Sequence, residues 1–252
     1  MKRLTALLPM ILLTAQAKPV LVPDVSQRSI RIVYSFTGAD LLLFGAILYP
    51  GGRLPRGERP VDIVVVVKGP TESVLVREKE RVAGIWVNAD QLRYRSAPSF
   101  YAIASSRPIE QIVDERTRAI YELGLDSLQL SPASNAPAEQ QDRFQGGMVE
   151  LKRRVGRYYE ATRAVEITGA VLYRARIAIP ARVPVGKFTA ETFLIRDGRV
   201  LAAATTAVKI QKAGFERFVA RAADRNAVLY GLTAVALSVG LGWAAGLTAR
   251  RL

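Results

Sequence analysis

Residues 61–70 read VDIVVVVKGP. So short a run of β-branched residues predicts a strand; its lack of alternation predicts burial on both faces, and Gly69-Pro70 supplies the turn that ends it. Leu41 to Leu48 has the same continuous apolar character and is bounded by Pro50-Gly51-Gly52, so it too is expected to be covered on both sides. Upstream, Ile30, Ile32, Tyr34 and Phe36 alternate with Arg31, Val33 and Ser35, the period of a strand with one buried face. Downstream, shorter candidate strands fall at 73–79, 84–88 and 99–105. Short strands at this spacing predict a mainly β protein, an immunoglobulin-like β-sandwich.

The pattern then changes period. From Pro108, the residues Ile109, Ile112, Val113, Ile120 and Leu123 fall on one face of a helix that Gly124 stops. After the polar loop SPASNAPAEQQD, a second helix is expected over 138–161, with Phe144, Met148, Leu151, Val155 and Tyr158 on one stripe. Strands return at Val165, where Val165, Ile167, Val171, Tyr173, Ile177 and Ile179 share a face. Asp197-Gly198 then joins Lys187–Arg196 to Arg199–Ile210 as a hairpin. Three strands make a poor sandwich on their own, so they are expected to complete, or to pack beside, the sheets of the first half, with the helices as an insertion at about 107–161.

The two ends carry an address. Lys2 and Arg3, the apolar run Leu4–Leu13 and Ala15-Gln16-Ala17 have the three parts of a secretory signal peptide, residues 1–17, too short to span a bilayer. Residues 227–249, AVLYGLTAVALSVGLGWAAGLTA, are uncharged and lie between Arg225 and Arg250-Arg251, which predicts a single C-terminal transmembrane helix. The expected order is thus a periplasmic domain over 18–210, a juxtamembrane amphipathic helix over 211–226, the membrane helix, and a cytoplasmic tail of residues 250–252. This places the chain in a bacterial inner membrane with its bulk in the periplasm. The Lys209, Lys212, Arg217, Arg221 and Arg225 side chains precede the span and run against the positive-inside preference, which long exported domains largely escape. Arg217, Arg221 and Arg225 recur every four residues and are expected at lipid headgroups. Ala234, Ser238, Gly242 and Gly246 form a small-residue row suited to packing against another membrane helix.

Composition removes more chemistry than any motif adds. The 252 residues contain no Cys and no His, which excludes disulfides, zinc cages, haem held by imidazole, a Ser-His-Asp triad and a thiolate nucleophile. No cofactor or metal is expected: Gly51-Gly52 and Gly146-Gly147 lack phosphate-loop spacing, and no acidic loop offers convergent oxygens. The formal charge of +14 favours anionic lipid headgroups or acidic envelope polymers, and nucleic acid is not expected outside the cytoplasm.

One segment has the makings of a ligand site. In a strand, Arg77, Lys79 and Arg81 share one face and Glu78 and Glu80 the other, and Trp86, Asn88, Tyr101 and Arg107 follow. Guanidinium forks beside aromatics suit a small oxyanion or an acidic partner. The same charges are also the ordinary means by which a strand edge avoids pairing with another chain. For acid/base work the available carboxylates are Asp114, Glu115, Glu139 and Asp142, and no catalytic residue is singled out.

The segments FTGADLLLFGAILYPGGR (36–53), DIVVVVKGP (62–70), VREKERVAGIWVN (76–88) and SFYAIASSRPI (99–109), with the terminal span, resemble the uncharacterised putative transmembrane protein family of alphaproteobacteria. The resemblance covers the mature chain, and RVAGIWVN is its most specific part. It implies an inner-membrane protein without assigned activity, and as partner a permease of the sulfite-exporter (TauE/SafE) type. The expected function is a non-enzymatic, membrane-tethered interaction module, an accessory subunit of such a transporter. The alternatives are a sensor or carrier for an anionic envelope ligand, and a carboxylate-dependent hydrolase.

Overall fold

The computed structural model describes residues 18–32, 38–52, 54, 59–212, 219 and 222–249, apart from the side chains of residues 212, 244 and 247–249. The signal peptide, Arg217, Arg221 and the tail 250–252 lie outside the described residues, as does half of the segment expected to be the juxtamembrane helix.

The Val-rich run forms strand β4 (Asp62–Lys68), with every residue from Asp62 to Val67 buried. Its alternate side chains enter two different cores. Ile63, Val65 and Val67 belong to one; Val64 and Val66 belong to the other. Full burial of such aliphatic side chains contributes about 1.5–3 kcal/mol each, so the strand stabilises both halves of the body at once.

The first core lies between two sheets. One holds four strands in the order β1 (Val20–Val25), β3 (Gly38–Leu48), β11 (Leu172–Pro180) and β10 (Val165–Thr168), all antiparallel. The other holds six: β2 (Ser29–Ile32), β13 (Arg199–Lys212), β12 (Gly186–Arg196), β4, β7 (Tyr101–Ser105) and β9 (Tyr158–Thr162). Its outer pairs, β2–β13 and β7–β9, are parallel. These parallel pairs, together with a second core on the far side of the sheet, correct the immunoglobulin-like expectation, because that fold packs two antiparallel sheets around one core. The mainly β character holds, with 49% of the described residues in strands. The Asp197-Gly198 hairpin also forms, both residues having positive φ (48° and 77°).

Strand β3 differs from its expected burial. Leu41, Leu43 and Ile47 are buried, whereas Phe44 and Leu48 are exposed, so it is covered on one face only. The outer face of the four-stranded sheet therefore carries Val20, Val22, Phe44, Leu48 and Leu172 in the open.

The second core is closed by the inserted segment. Instead of one helix after Pro108 there are two, α1 (Ile109–Ile112) and α2 (Glu115–Tyr121), because Asp114 accepts a hydrogen bond from the Thr117 amide at 2.8 Å and starts a new helix there. Ile120 is consequently exposed. A short strand β8 (Ser131–Pro132) precedes helix α3 (Ala138–Arg154), which stops seven residues before its expected end of 161. Gly156 (φ 69°) turns the chain into β9 and moves Tyr158 from the helix stripe to the sheet. Phe144 and Met148 are buried, while Leu151 and Val155 face solvent.

Strands β5 (Thr71–Val82) and β6 (Ile85–Pro98) complete the three-stranded sheet β5-β6-β8. They also continue β4 and β7. The antiparallel register runs unbroken from Val64↔Ser105 through Lys68↔Tyr101 to Thr71↔Pro98 and Glu72↔Ala97, so the four strands form one long ribbon that leaves the end of the six-stranded sheet. Val76, Leu92 and Tyr94 pack into the second core; beyond them the ribbon is exposed up to its Ala83-Gly84 turn.

The C-terminal helix α4 (Ala227–Ala249) forms over the expected residues. Among the described residues, however, no helix is long and apolar enough to cross a membrane, which corrects the expected single transmembrane helix. What the structure shows is an exposed apolar helix, with Val228, Leu229, Leu232, Val235, Leu237, Val239, Leu241 and Trp243 all uncovered.

Candidate functional site

The exposed part of the β5–β6 ribbon gathers most of the residues expected to bind a ligand. Alternation along β5 puts Arg77, Lys79 and Arg81 on one face, opposite Gln91, Asn88 and Trp86 of β6. A register shift between Glu78 and Lys79 makes Ala89 the extra residue of a bulge, which lets Asn88 and Trp86 share the basic face with Gln91. Arg77 and Lys79 make no ion pair among the described residues, and Arg81 donates a 3.4 Å contact from Nε to the Gly84 carbonyl. Trp86 is 65% exposed.

The opposite face is held to the body. Glu78 and Asp90 stand across from each other, and both accept contacts from Arg143 of α3 at 3.2 Å. Gln140 donates to Asp90 at 2.7 Å. Above this brace the opposite face turns apolar, with Val82, Ile85 and Val87 exposed around the turn. Those three residues escaped the sequence reading as functional candidates. The signal that could have found them is the VAGIWV stretch itself, in which two aliphatic flanks meet at a Gly.

Two of the expected ligand residues lie elsewhere. Tyr101 is fully buried in β7; its hydroxyl donates to the Glu122 carbonyl at 2.6 Å and accepts from the Gly124 amide at 3.1 Å. Burial, with Glu160, Glu122 and Glu191 nearby, pushes its phenol well above the usual range. Arg107 clamps Asp62, Nε to Oδ1 at 2.9 Å and Nη2 to Oδ2 at 2.5 Å, while the Ser106 hydroxyl donates to Oδ1 at 2.8 Å. Arg107 therefore closes the end of β4 and lines a separate polar cleft of about 810 Å³ with Arg59, Glu110, Asp114 and Asp197.

The carboxylates do not converge. Asp114 is held below its usual range by hydrogen bonds from Thr117 as it caps α2. Glu115, Glu139 and Asp142 are exposed on α2 and α3. A tighter acidic cluster that the sequence did not reveal sits beside Tyr101, where Lys68 contacts Glu122 at 2.6 Å and Glu191 at 3.4 Å. It joins the end of β4 to β12 and to Glu122, which has a left-handed backbone at the end of α2. Among the described residues no group of three acidic side chains is placed to hold a metal ion.

On α4, the row Ala234, Ser238, Gly242 and Gly246 is open. The Ser238 hydroxyl donates to the Ala234 carbonyl at 2.8 Å, and a Cβ added at Gly242 or Gly246 would meet nothing within 4 Å. Arg225 is exposed in the helical turn 222–225, which runs on towards α4 through the hydrogen bond from the Tyr230 amide to the Asn226 carbonyl.

A β body with a basic, apolar-tipped ribbon and an uncovered apolar helix has the exposed surfaces of a membrane-associated protein rather than those of a free monomer, which rarely leaves such patches open. The chain belongs to the family described as putative transmembrane protein, which it matches over residues 20–251. No curated protein matches it.

Proposed function

We propose that this protein is a non-enzymatic interaction module of the bacterial inner membrane, its β body in the periplasm, serving as accessory subunit to an integral membrane transporter. The observation that carries this reading is α4: among the described residues its large apolar side chains are exposed all around the helix and the body covers none of them. Apolar side chains exposed in this way call for a partner surface that covers them. The open small-residue row gives one side a surface that a partner helix can approach closely. Family membership supports the membrane setting, and a permease of the sulfite-exporter type is the partner class the sequence resemblance suggests. The dispersal of Asp114, Glu115, Glu139 and Asp142 speaks for binding over hydrolysis.

Affinity purification of the full chain in mild detergent tests the proposal. A multi-span permease in stoichiometric amount is the expected result, reduced by Gly242→Leu with Gly246→Leu. A chain that always purifies alone contradicts it.

A further inference from the structure

We propose that the apex of the β5–β6 ribbon is a lipid-contacting probe, Val82, Ile85, Trp86 and Val87 entering the interfacial layer of an anionic membrane while Arg81 meets headgroup phosphates and Lys79, just above them, is attracted by their charge. This contact needs no protein partner and stands independently of the transporter reading.

Three observations carry it. The first is the apex itself. Its four apolar side chains are exposed by 40–69%, and they surround a turn whose residues Ala83 and Gly84 both have positive φ (49° and 86°). So few side chains fall far below the roughly 800 Å² per partner of a stable protein interface. They suit shallow insertion, for which Trp is the preferred interfacial residue.

The second is charge and its depth. At about 3.3 Å per residue, Arg81 stands about 3 Å behind Val82, Lys79 about 10 Å and Arg77 about 17 Å. With Val82 at the hydrocarbon boundary, Arg81 lies within a headgroup layer about 5–8 Å thick and Lys79 just beyond it, within a screening length of about 8 Å. Glu80 is the opposing charge, exposed and without an ion pair among the described residues. Glu78 and Asp90 are already met by Arg143.

The third is direction. The ribbon leaves the six-stranded sheet at the Lys68 end. Gly186 pairs with Ile210 of β13, and a Cβ at Gly186 would lie 2.9 Å from Pro70 Cγ, so β13 ends at that same edge. The chain thus departs towards α4 from the end of the body that carries the ribbon.

The test uses the full chain with Trp243→Phe, which leaves Trp86 as sole tryptophan, in vesicles of phosphatidylcholine with increasing phosphatidylglycerol. Quenching of Trp86 by lipids brominated near the headgroup is the readout. Quenching should rise with phosphatidylglycerol. Lys79→Gln with Arg81→Gln should raise the half-maximal anionic content several-fold, and Glu80→Gln should lower it. All three positions are solvent-exposed, and unchanged thermal melting confirms an intact body. Unquenched emission at every composition overturns the proposal. So does quenching that follows protein-to-lipid ratio instead of lipid charge, which marks self-association, or Trp86 burial that requires added membrane proteins, which marks a protein dock.

Discussion

Asp62 is a carboxylate at the head of a strand of valines, and it is tolerated there because three donors meet it: two from Arg107 and one from Ser106. Arg107→Ala leaves only the serine, at an expected cost of about 1–3 kcal/mol, read as a lowered denaturant midpoint with unchanged slope. An unchanged midpoint would mean that water replaces the guanidinium without loss. Gly45 has a different constraint. In the middle of the four-stranded sheet, a Cβ there would strike the Val22 carbonyl and approach the Tyr173 hydroxyl to 2.7 Å. Gly45→Ala should destabilise by about 1–3 kcal/mol, since neither backbone nor a buried ring can yield freely. Ser106 and Arg107 were not legible as partners of Asp62, because a separation of some 45 residues shows only once the ribbon has brought β4 beside β7.

At the scale of elements, the ribbon stands because α3 braces it. Arg143 contacts Glu78 and Asp90, the last pair before the free apex. Arg143→Ala should speed hydrogen exchange of amides 77–91 while leaving β4 and β12 unchanged; uniform protection would show that the core residues Val76 and Leu92 suffice to hold it. The β5 charge alternation was readable, because period two assigns Arg77, Lys79 and Arg81 to one side whatever they touch. The ribbon's length was not, since its turn is the unremarkable Ala83-Gly84 and its apolar tip reads as a core strand. The same ambiguity misled at Leu41–Leu48, where a continuous apolar run is buried on one face only. At 109–123 the helical period carried across Asp114, although that residue's preference for capping marks the break. β4, by contrast, was read correctly, because four valines bounded by Gly-Pro leave no exposed face to assign.

For the whole molecule, two cores share one sheet, and buried tyrosines sit in both. Burial raises Tyr94, Tyr101, Tyr158 and Tyr173, and pushes Tyr159 up to about 12. A phenol raised on folding stays protonated longer in the native state, so its contribution is complete below its ordinary value near 10 and is lost as pH climbs through the folded value. Stability should therefore be insensitive to these groups up to about pH 10 and collapse above it, with tyrosinate absorbance at 295 nm appearing together with unfolding. Absorbance that grows while the fold persists would contradict the burial. The claim on which the functional reading depends is that the exposed apolar surface of α4 is what this body uses to associate with a membrane partner. Fractionation of cells expressing the full chain, or a chain ending at Asn226, tests it most directly: the full chain should sediment with membranes and the shortened one should stay in the soluble fraction with its body folded. A full-length protein recovered in the soluble fraction, or a shortened one that still sediments completely, would contradict the account.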